Sequence, residues 1–160
     1  MLGMQCMLDI EASGFGRNGY PIEVGYVRDD GQAWCTLIRP EPDWTHWDPA
    51  AEQLHGISRQ ALERHGRAPG AVCKRLNDAL AGRIVYCDGW AHDYPWLARL
   101  YDAADMLPSF RLESVQRLLD DGARSRLEPA LTGLRAELGR HRASADARVL
   151  QQALALTIGA

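Results

Sequence analysis

The sequence lacks the features that mark several large classes of protein. No apolar run approaches the roughly 20 residues that a membrane-spanning helix needs. The first residues, MLGMQCMLDIE, have no basic region and reach acidic side chains too early for a secretory signal. Internal repeats and low-complexity linkers are also missing. With 160 residues, 46% of them hydrophobic, we expect a single globular domain over residues 1–160 and no membrane partner.

Cysteines at a spacing typical of metal ligands are missing too. The four cysteines are scattered along the chain and form no CxxC pair: Cys6, Cys35, Cys73 and Cys87. Three of them fall in apolar strand or helix patterns, which predicts buried free thiols and a reducing, cytoplasmic location. A zinc protein that uses cysteine and histidine ligands is an alternative without the expected ligand spacing.

An excess of positive charge is the third absence. The chain has 18 basic and 21 acidic residues, for a net charge of −3. Proteins that grip long duplex nucleic acid usually present a large basic surface. If nucleic acid is a partner, we therefore expect a short segment or a chain end, held partly through bound metal.

The elements that are present predict an α/β protein. Three strand patterns in the first 40 residues, separated by the turn signals GFGRNGY and DDG, predict an antiparallel meander. From Glu41 to Ser58 the chain is predicted to form a loop, with Ser58 as the cap of the helix that follows. Further helices then alternate with the buried strand RIVYC and a short later strand. The last helix is predicted to be capped by Ser144. This alternation indicates a mixed sheet flanked by helices.

An acidic pair interrupts the first of these strands, in the stretch MLDIEAS. Side chains two positions apart in a strand share a face, so Asp9 and Glu11 are expected to lie side by side. A strand with one solvated face is one explanation. A divalent cation held between the two carboxylates is the other, and the apolar flanks of the pair favour it.

Further candidate ligands occur later in the chain. The segment VYCDGWAHDYPWL offers Asp88 and Asp93, and HRASADARVL offers Asp146, five residues after His141. Each of these signals is weak alone, since a histidine and an aspartate at that spacing occur by chance. Asp93 is also a candidate N-cap for the helix that begins near it.

Taken in order, these segments resemble the DEDDh family of 3′→5′ exonucleases, which includes the RNase T and DNA polymerase proofreading type. DIEASGF matches the first motif of the family, LHGIS at residues 54–58 a common second segment, HDYPWL the motif around the third carboxylate, and HRASAD the last. The resemblance extends from Cys6 to Leu156. It implies an RNase H-like fold, with a mixed five-stranded sheet in which parallel strands follow the antiparallel meander.

The resemblance also implies roles for individual residues. The ligands of two divalent cations, Mg²⁺ or Mn²⁺, would be Asp9, Glu11, Asp93 and Asp146, with Asp88 as the alternative third carboxylate. His141 would be the general base, because the other branch of the family has tyrosine where this chain has Arg142. Residues expected at the substrate are Ala12, Phe15 and His55. Phe15 would be an apolar wedge against the terminal base, or else ordinary core, and His55 is otherwise a surface residue.

Some positions depart from the family pattern. Ala12 stands where the family usually has threonine, and CDGWAH replaces the common HN segment before Asp93. Both changes are expected to alter recognition of the strand end. Trp44 and Trp47 lie in the predicted loop, where they either stack on bases or cover the core.

The sequence therefore supports two hypotheses. The first is a metal-dependent 3′→5′ exonuclease that acts on single-stranded or short RNA or DNA and releases nucleoside 5′-monophosphates. The second is a non-catalytic RNase H-like module that binds nucleic acid or protein. A homodimer is a further expectation from the resemblance.

Overall fold

The computed structural model describes residues 3–138 and 142–159. In chain order, the strands are β1 (Cys6–Ala12), β2 (Pro21–Val27), β3 (Ala33–Leu37), β4 (Ile84–Cys87) and β5 (Arg111–Ser114). The helices are α1 (Pro49–His55), α2 (Arg59–His65), α3 (Pro69–Leu80), α4 (Trp90–Ala104), α5 (Asp121–Leu138) and α6 (Ala143–Gly159). A short 3₁₀ turn, Val115–Leu118, follows β5 directly.

The strands form one mixed sheet in the order β3-β2-β1-β4-β5. Strands β1, β2 and β3 pair antiparallel, whereas β4 pairs parallel to β1 and to β5. The predicted antiparallel meander followed by parallel strands is thereby confirmed. Because β1 is the central strand, its side chains are covered on both faces of the sheet.

Helices cover the two faces and create two separate cores. The first core lies between the sheet and helices α2, α3 and α4, and it includes Leu62, Leu76 and Leu100. The second lies between the sheet and helices α5 and α6, and it includes Leu131 and Leu150. Alternate residues of β1 therefore enter different cores.

Two helix predictions were wrong in detail. Helix α1 forms within the segment predicted as a loop, because Asp48 accepts a hydrogen bond from the Ala50 N–H (2.9 Å) and Pro49 occupies the first helical position. Ser144 lies inside α6 rather than before it. Ser58 does cap α2, where its hydroxyl accepts a hydrogen bond from the Ala61 N–H at 3.1 Å.

The tryptophans and cysteines are largely structural. Trp44 is buried against Tyr20, and the indole N–H of Trp47 donates to Glu52 at 2.8 Å, which favours the core-covering interpretation of both. All four cysteines are free thiols and, as predicted, three are buried.

Within residues 3–138 and 142–159, none of the helices is both long and apolar enough to cross a bilayer.

Candidate active site

Three carboxylates from the two ends of the chain converge at one point. Asp9 and Glu11 extend from the same face of β1, and Asp146 lies in the first turn of α6. Each offers an oxygen atom, and these atoms all lie within 4.8 Å of one another. All three residues are half-buried. We call Asp9, Glu11 and Asp146 the acidic trio.

Helix α6 reaches this position because β2 carries a glycine beneath it. Gly25 pairs with Asp9 in the β1–β2 register. A Cβ atom at Gly25 would lie 2.3 Å from the backbone nitrogen of Ser144, closer than any packed structure allows. The missing side chain therefore lets the start of α6 lie directly on the sheet, which brings Asp146 to the two carboxylates of β1.

A buried glutamate that the sequence interpretation missed binds the start of the same helix. Glu23 pairs with Glu11 across β1 and β2 and has no exposed surface. One of its carboxylate oxygens accepts the Ala143 N–H at 2.7 Å, and the other accepts the Arg142 Nε–H at 2.6 Å. Burial raises the pKa of Glu23, while these donors oppose the rise. Glu23 thus caps α6 in place of the predicted Ser144.

Asp93 lies in the same pocket as the acidic trio but is not one of its three members. It occupies the first turn of α4 and is only 5% exposed. Its prediction as an N-cap was wrong, since Gly89 holds that position. Burial raises the pKa of Asp93 to about 7, and the negative charge of Glu11 adds to the rise, whereas a hydrogen bond from the Cys87 thiol lowers it.

The alternative carboxylate, Asp88, lines the pocket as well. It follows β4 in the turn that leads to α4, and its Oδ2 lies 3.6 Å from the Nη2 of Arg135 on α5. The pocket has a volume of about 240 Å³ and is lined by five carboxylates in total. Asp93 differs from Asp88 in being nearly fully buried and free of any ion pair with an arginine of the described residues.

The other side of the pocket is aromatic. Phe15 is 66% exposed, so the interpretation of this ring as ordinary core was wrong. Its ring centroid lies 4.8 Å from that of His92 and 6.0 Å from that of Trp96, with Phe15 and Trp96 stacked. Ala12 also lines the pocket and is buried. An exposed, supported ring beside a carboxylate pocket is suited to stacking against a planar group such as a base.

His55 lies at the junction of this pocket with two neighbouring grooves. It is half-buried rather than a plain surface residue, and burial lowers its pKa. Its Nδ1 accepts the Ile57 N–H at 3.0 Å, so the proton of the neutral ring resides on Nε2. A neutral imidazole with a free N–H is available as a donor there. His141, the predicted general base, lies outside the described residues.

The donor set of the trio suits a hard divalent cation. Carboxylate oxygens are the ligands that Mg²⁺ and Mn²⁺ prefer, whereas zinc sites are usually built from thiolates and imidazoles. Within the described residues, no cysteine or histidine belongs to a group of potential metal ligands, and burial raises the pKa of the Cys87 thiol. The residues present therefore fit a site for a hard divalent cation, not a cysteine-based zinc site.

Comparisons with known proteins place the fold. The sequence matches no protein-family model and no curated protein. Among solved structures, E. coli Exonuclease I in complex with a 5cy-dA13 oligonucleotide is similar, with a TM-score of 0.70 and 16% identity over 95% of this chain and 40% of that chain. The zinc-bound E. coli Exonuclease I–ssDNA complex gives a TM-score of 0.73 and 15% identity, with the same shares covered.

Exonuclease I from Methylocaldum szegediense is also similar, with a TM-score of 0.71 and 16% identity over 94% of this chain and 40% of that chain. The present chain thus spans about 40% of the length of these proteins. At such low identity the similarity concerns architecture. The chain has the RNase H-like α/β fold that its sequence predicted.

Proposed function

We propose that this protein is a metal-dependent 3′→5′ exonuclease that acts on single-stranded or short nucleic acid. The observation that carries the proposal is the acidic trio, which joins the first strand and the last helix within 4.8 Å in an RNase H-like fold. The structural neighbours include complexes of Exonuclease I with single-stranded DNA, which favours the same substrate class here.

The acidic trio and Asp93 would hold two divalent cations, Mg²⁺ or Mn²⁺. When bound, such cations lower the pKa of a coordinated water and stabilise the negative charge on a leaving oxygen. Because the pKa of Asp93 is about 7, its carboxyl group is about half protonated at neutral pH, and cation binding would displace that proton. That proton reduces the repulsion between the neighbouring carboxylates while no cation is bound.

The other pocket residues would position the strand end. The exposed ring of Phe15, supported by His92 and Trp96, would stack on the terminal base. His55 would donate from Nε2 to the terminal nucleotide. Ala12 offers no hydroxyl at the place where the resemblance expects one, so the terminal sugar would be held by fewer hydrogen bonds.

Hydrolysis then requires one proton transfer on each side of the phosphorus atom. The oxygen of water forms a bond to phosphorus, and His141 takes the proton of that water as general base. The bond from phosphorus to the 3′ oxygen of the preceding nucleotide breaks, and that oxygen takes a proton from a solvent water as it leaves, while His141 later returns its proton to solvent. The product is a nucleoside 5′-monophosphate and a strand shorter by one residue.

A cleavage assay with 5′-labelled single-stranded RNA and DNA, in Mg²⁺ or Mn²⁺, tests the proposal. We expect a ladder that shortens from the 3′ end with the parent protein and is lost in Asp9→Ala and His141→Ala. Asp78→Ala is the matched control, because Asp78 is an exposed aspartate paired with Lys74 on α3 and should retain activity. Absence of cleavage by a parent protein that still binds oligonucleotides would favour the non-catalytic module.

A further inference from the structure

The carboxylate pocket contains one cation that the proposed chemistry does not use. Five carboxylates line it, and Arg135 is the only lysine or arginine among its lining residues in the described part of the chain. Arg135 lies in the last turn of α5, and its guanidinium reaches the turn between β4 and α4, where Asp88 lies. Packing alone does not explain why an arginine lines a pocket with five carboxylates.

The ion pair between Arg135 and Asp88 is too loose to be a structural clamp. Their closest atoms are 3.6 Å apart, longer than the 2.7–2.9 Å typical of a charge-assisted hydrogen bond. Both side chains are about one-third exposed, at 34% and 33%. Ion pairs with this exposure contribute little to stability because water screens them. Arg135 is therefore available to exchange Asp88 for another anion.

A phosphodiester is the anion that suits this position. Guanidinium groups bind phosphate oxygens through two parallel hydrogen bonds, a geometry that a lysine cannot provide. The carboxylates of the pocket repel a strand, and two divalent cations would balance the formal charge of the acidic trio and Asp93. The remaining charges in the described part of the pocket are then Asp88 and Arg135, of which only Arg135 attracts phosphate.

We propose that Arg135 is a substrate-binding residue that leaves Asp88 to bind a backbone phosphate of the nucleic-acid strand. Asp88 holds the guanidinium at the pocket while no strand is bound and competes with the phosphate for it. This inference rests on the proposed function, and it deepens that function by assigning a phosphate contact on α5.

Two substitutions on the same ion pair should have opposite effects, which separates binding from a structural role. Arg135→Ala removes the cation, and we expect KM to rise about tenfold with kcat changed less than twofold. Asp88→Asn removes the competitor, and we expect KM to fall two- to fourfold. If the pair were only structural, both changes would break the same bridge and would shift KM in the same direction.

Binding provides a second readout that does not depend on cleavage. Fluorescence anisotropy of a labelled 12-residue oligothymidylate in Ca²⁺ should show the same opposite shifts in Kd. The slope of log Kd against log salt should decrease by about 0.7 in Arg135→Ala, as expected for the loss of one phosphate contact to a single strand. Asp88→Asn should leave that slope unchanged.

Arg124→Ala is the matched control. Arg124 lies on the same helix and forms a similar ion pair with Asp121 at 3.3 Å, but it does not line the pocket, so no parameter should change.

Equal effects of Arg135→Ala and Asp88→Asn, or no effect of Arg135→Ala, would overturn the inference. So would a loss of kcat in Asp88→Asn, which would assign Asp88 to the metal site. A parent protein that binds without cleaving would refute the exonuclease while the anisotropy series still decides the role of Arg135.

Discussion

Strand β1 has seven residues, and the side chains on its two faces differ in character. On the face toward α3 and α4, Cys6, Leu8 and Ile10 are all buried in an uninterrupted apolar core. On the face toward α5 and α6, only Met7 belongs to the core, and the next two positions are Asp9 and Glu11. The apolar side chains and the carboxylates are thus separated by the two-residue period of a strand, so we expect each set to be changeable without the other.

The largest effect should come from the acidic face. Asp9→Asn keeps the shape of the side chain but removes its charge, and we expect the rate of metal-dependent cleavage to fall about 1000-fold, equivalent to about 4 kcal/mol of transition-state stabilisation. Initial rates on a 5′-labelled oligonucleotide in Mg²⁺ measure this. The circular dichroism spectrum should not change, and a rate within tenfold of the parent would contradict the assignment.

The second effect concerns the pH dependence of stability without metal. The pKa of Asp93 is about 7 in the fold and 3.8 as its ordinary value, so the folded state holds the proton more tightly. The contribution of Asp93 to stability is therefore fully present below about pH 4 and is lost as pH rises from there through about 7, by up to about 4 kcal/mol in total. Asp93→Asn has no such carboxylate and should lose the part of the pH dependence that Asp93 contributes.

Urea unfolding in EDTA at pH 5 and pH 8 measures the difference. The variant should gain free energy of unfolding relative to the parent at pH 8 and much less at pH 5. Asp78→Asn, which changes an exposed aspartate, should follow the parent at both values. An identical pH response of the parent and Asp93→Asn would mean that the pKa of Asp93 in the fold lies near its ordinary value.

The third effect belongs to the apolar face. Leu8 is 1% exposed, and Leu8→Ala should lower the free energy of unfolding by about 3 kcal/mol through lost burial and a residual cavity. Since Leu8 faces away from the carboxylates, the molecules that remain folded should cleave at nearly the parent rate. Urea unfolding together with activity per folded molecule tests both parts; a loss of activity beyond the folded fraction would show that the two faces are coupled.

The smallest effect should come from Glu23, the residue of β2 that binds the start of α6. Glu23→Gln replaces two charge-assisted acceptors with one neutral acceptor and an amide donor that faces the Ala143 or Arg142 N–H. We expect a loss of about 1–2 kcal/mol in the free energy of unfolding. Ser58→Ala, which removes the cap of α2, is a suitable reference, with an expected loss of about 1 kcal/mol. A neutral result for Glu23→Gln would mean that α6 is held by its apolar contacts alone.

Much of this architecture is predictable because it depends on local signals. Alternating strands, the DDG turn and the cap at Ser58 are properties of neighbouring residues, and each was confirmed. The features that were missed depend on partners far away in sequence. Glu23 replaces Ser144 as the cap of α6 from a strand near the other end of the chain, and helix α1 forms where tryptophan, proline and histidine suggested a loop.

The candidate site shows the same difference between features that follow from neighbouring residues and features that depend on distant ones. The spacing of Asp9 and Glu11 predicts a shared face, and the structure confirms it by bringing both to Asp146. The near-neutral pKa of Asp93 and the pairing of Asp88 with Arg135 follow from burial and from a helix that packs across the sheet, and no local pattern predicts either. The pairing of Glu11 with Glu23 was predictable, however, because the alternation in PIEVG and the register of the β1–β2 hairpin place both side chains on one face of the sheet.

The close approach that Gly25 permits also determines when the site can exist during synthesis. Synthesis runs from the amino terminus to the carboxyl terminus, and a domain generally folds as a unit. A nascent chain that has been synthesised only as far as β5 contains Asp9 and Glu11 but has nothing to place on Gly25, because α6 has not yet been made. The acidic trio is therefore completed only when α6 packs on the sheet. A chain that ends before α6 retains Asp9 and Glu11 but lacks Asp146, so it cannot assemble the acidic trio.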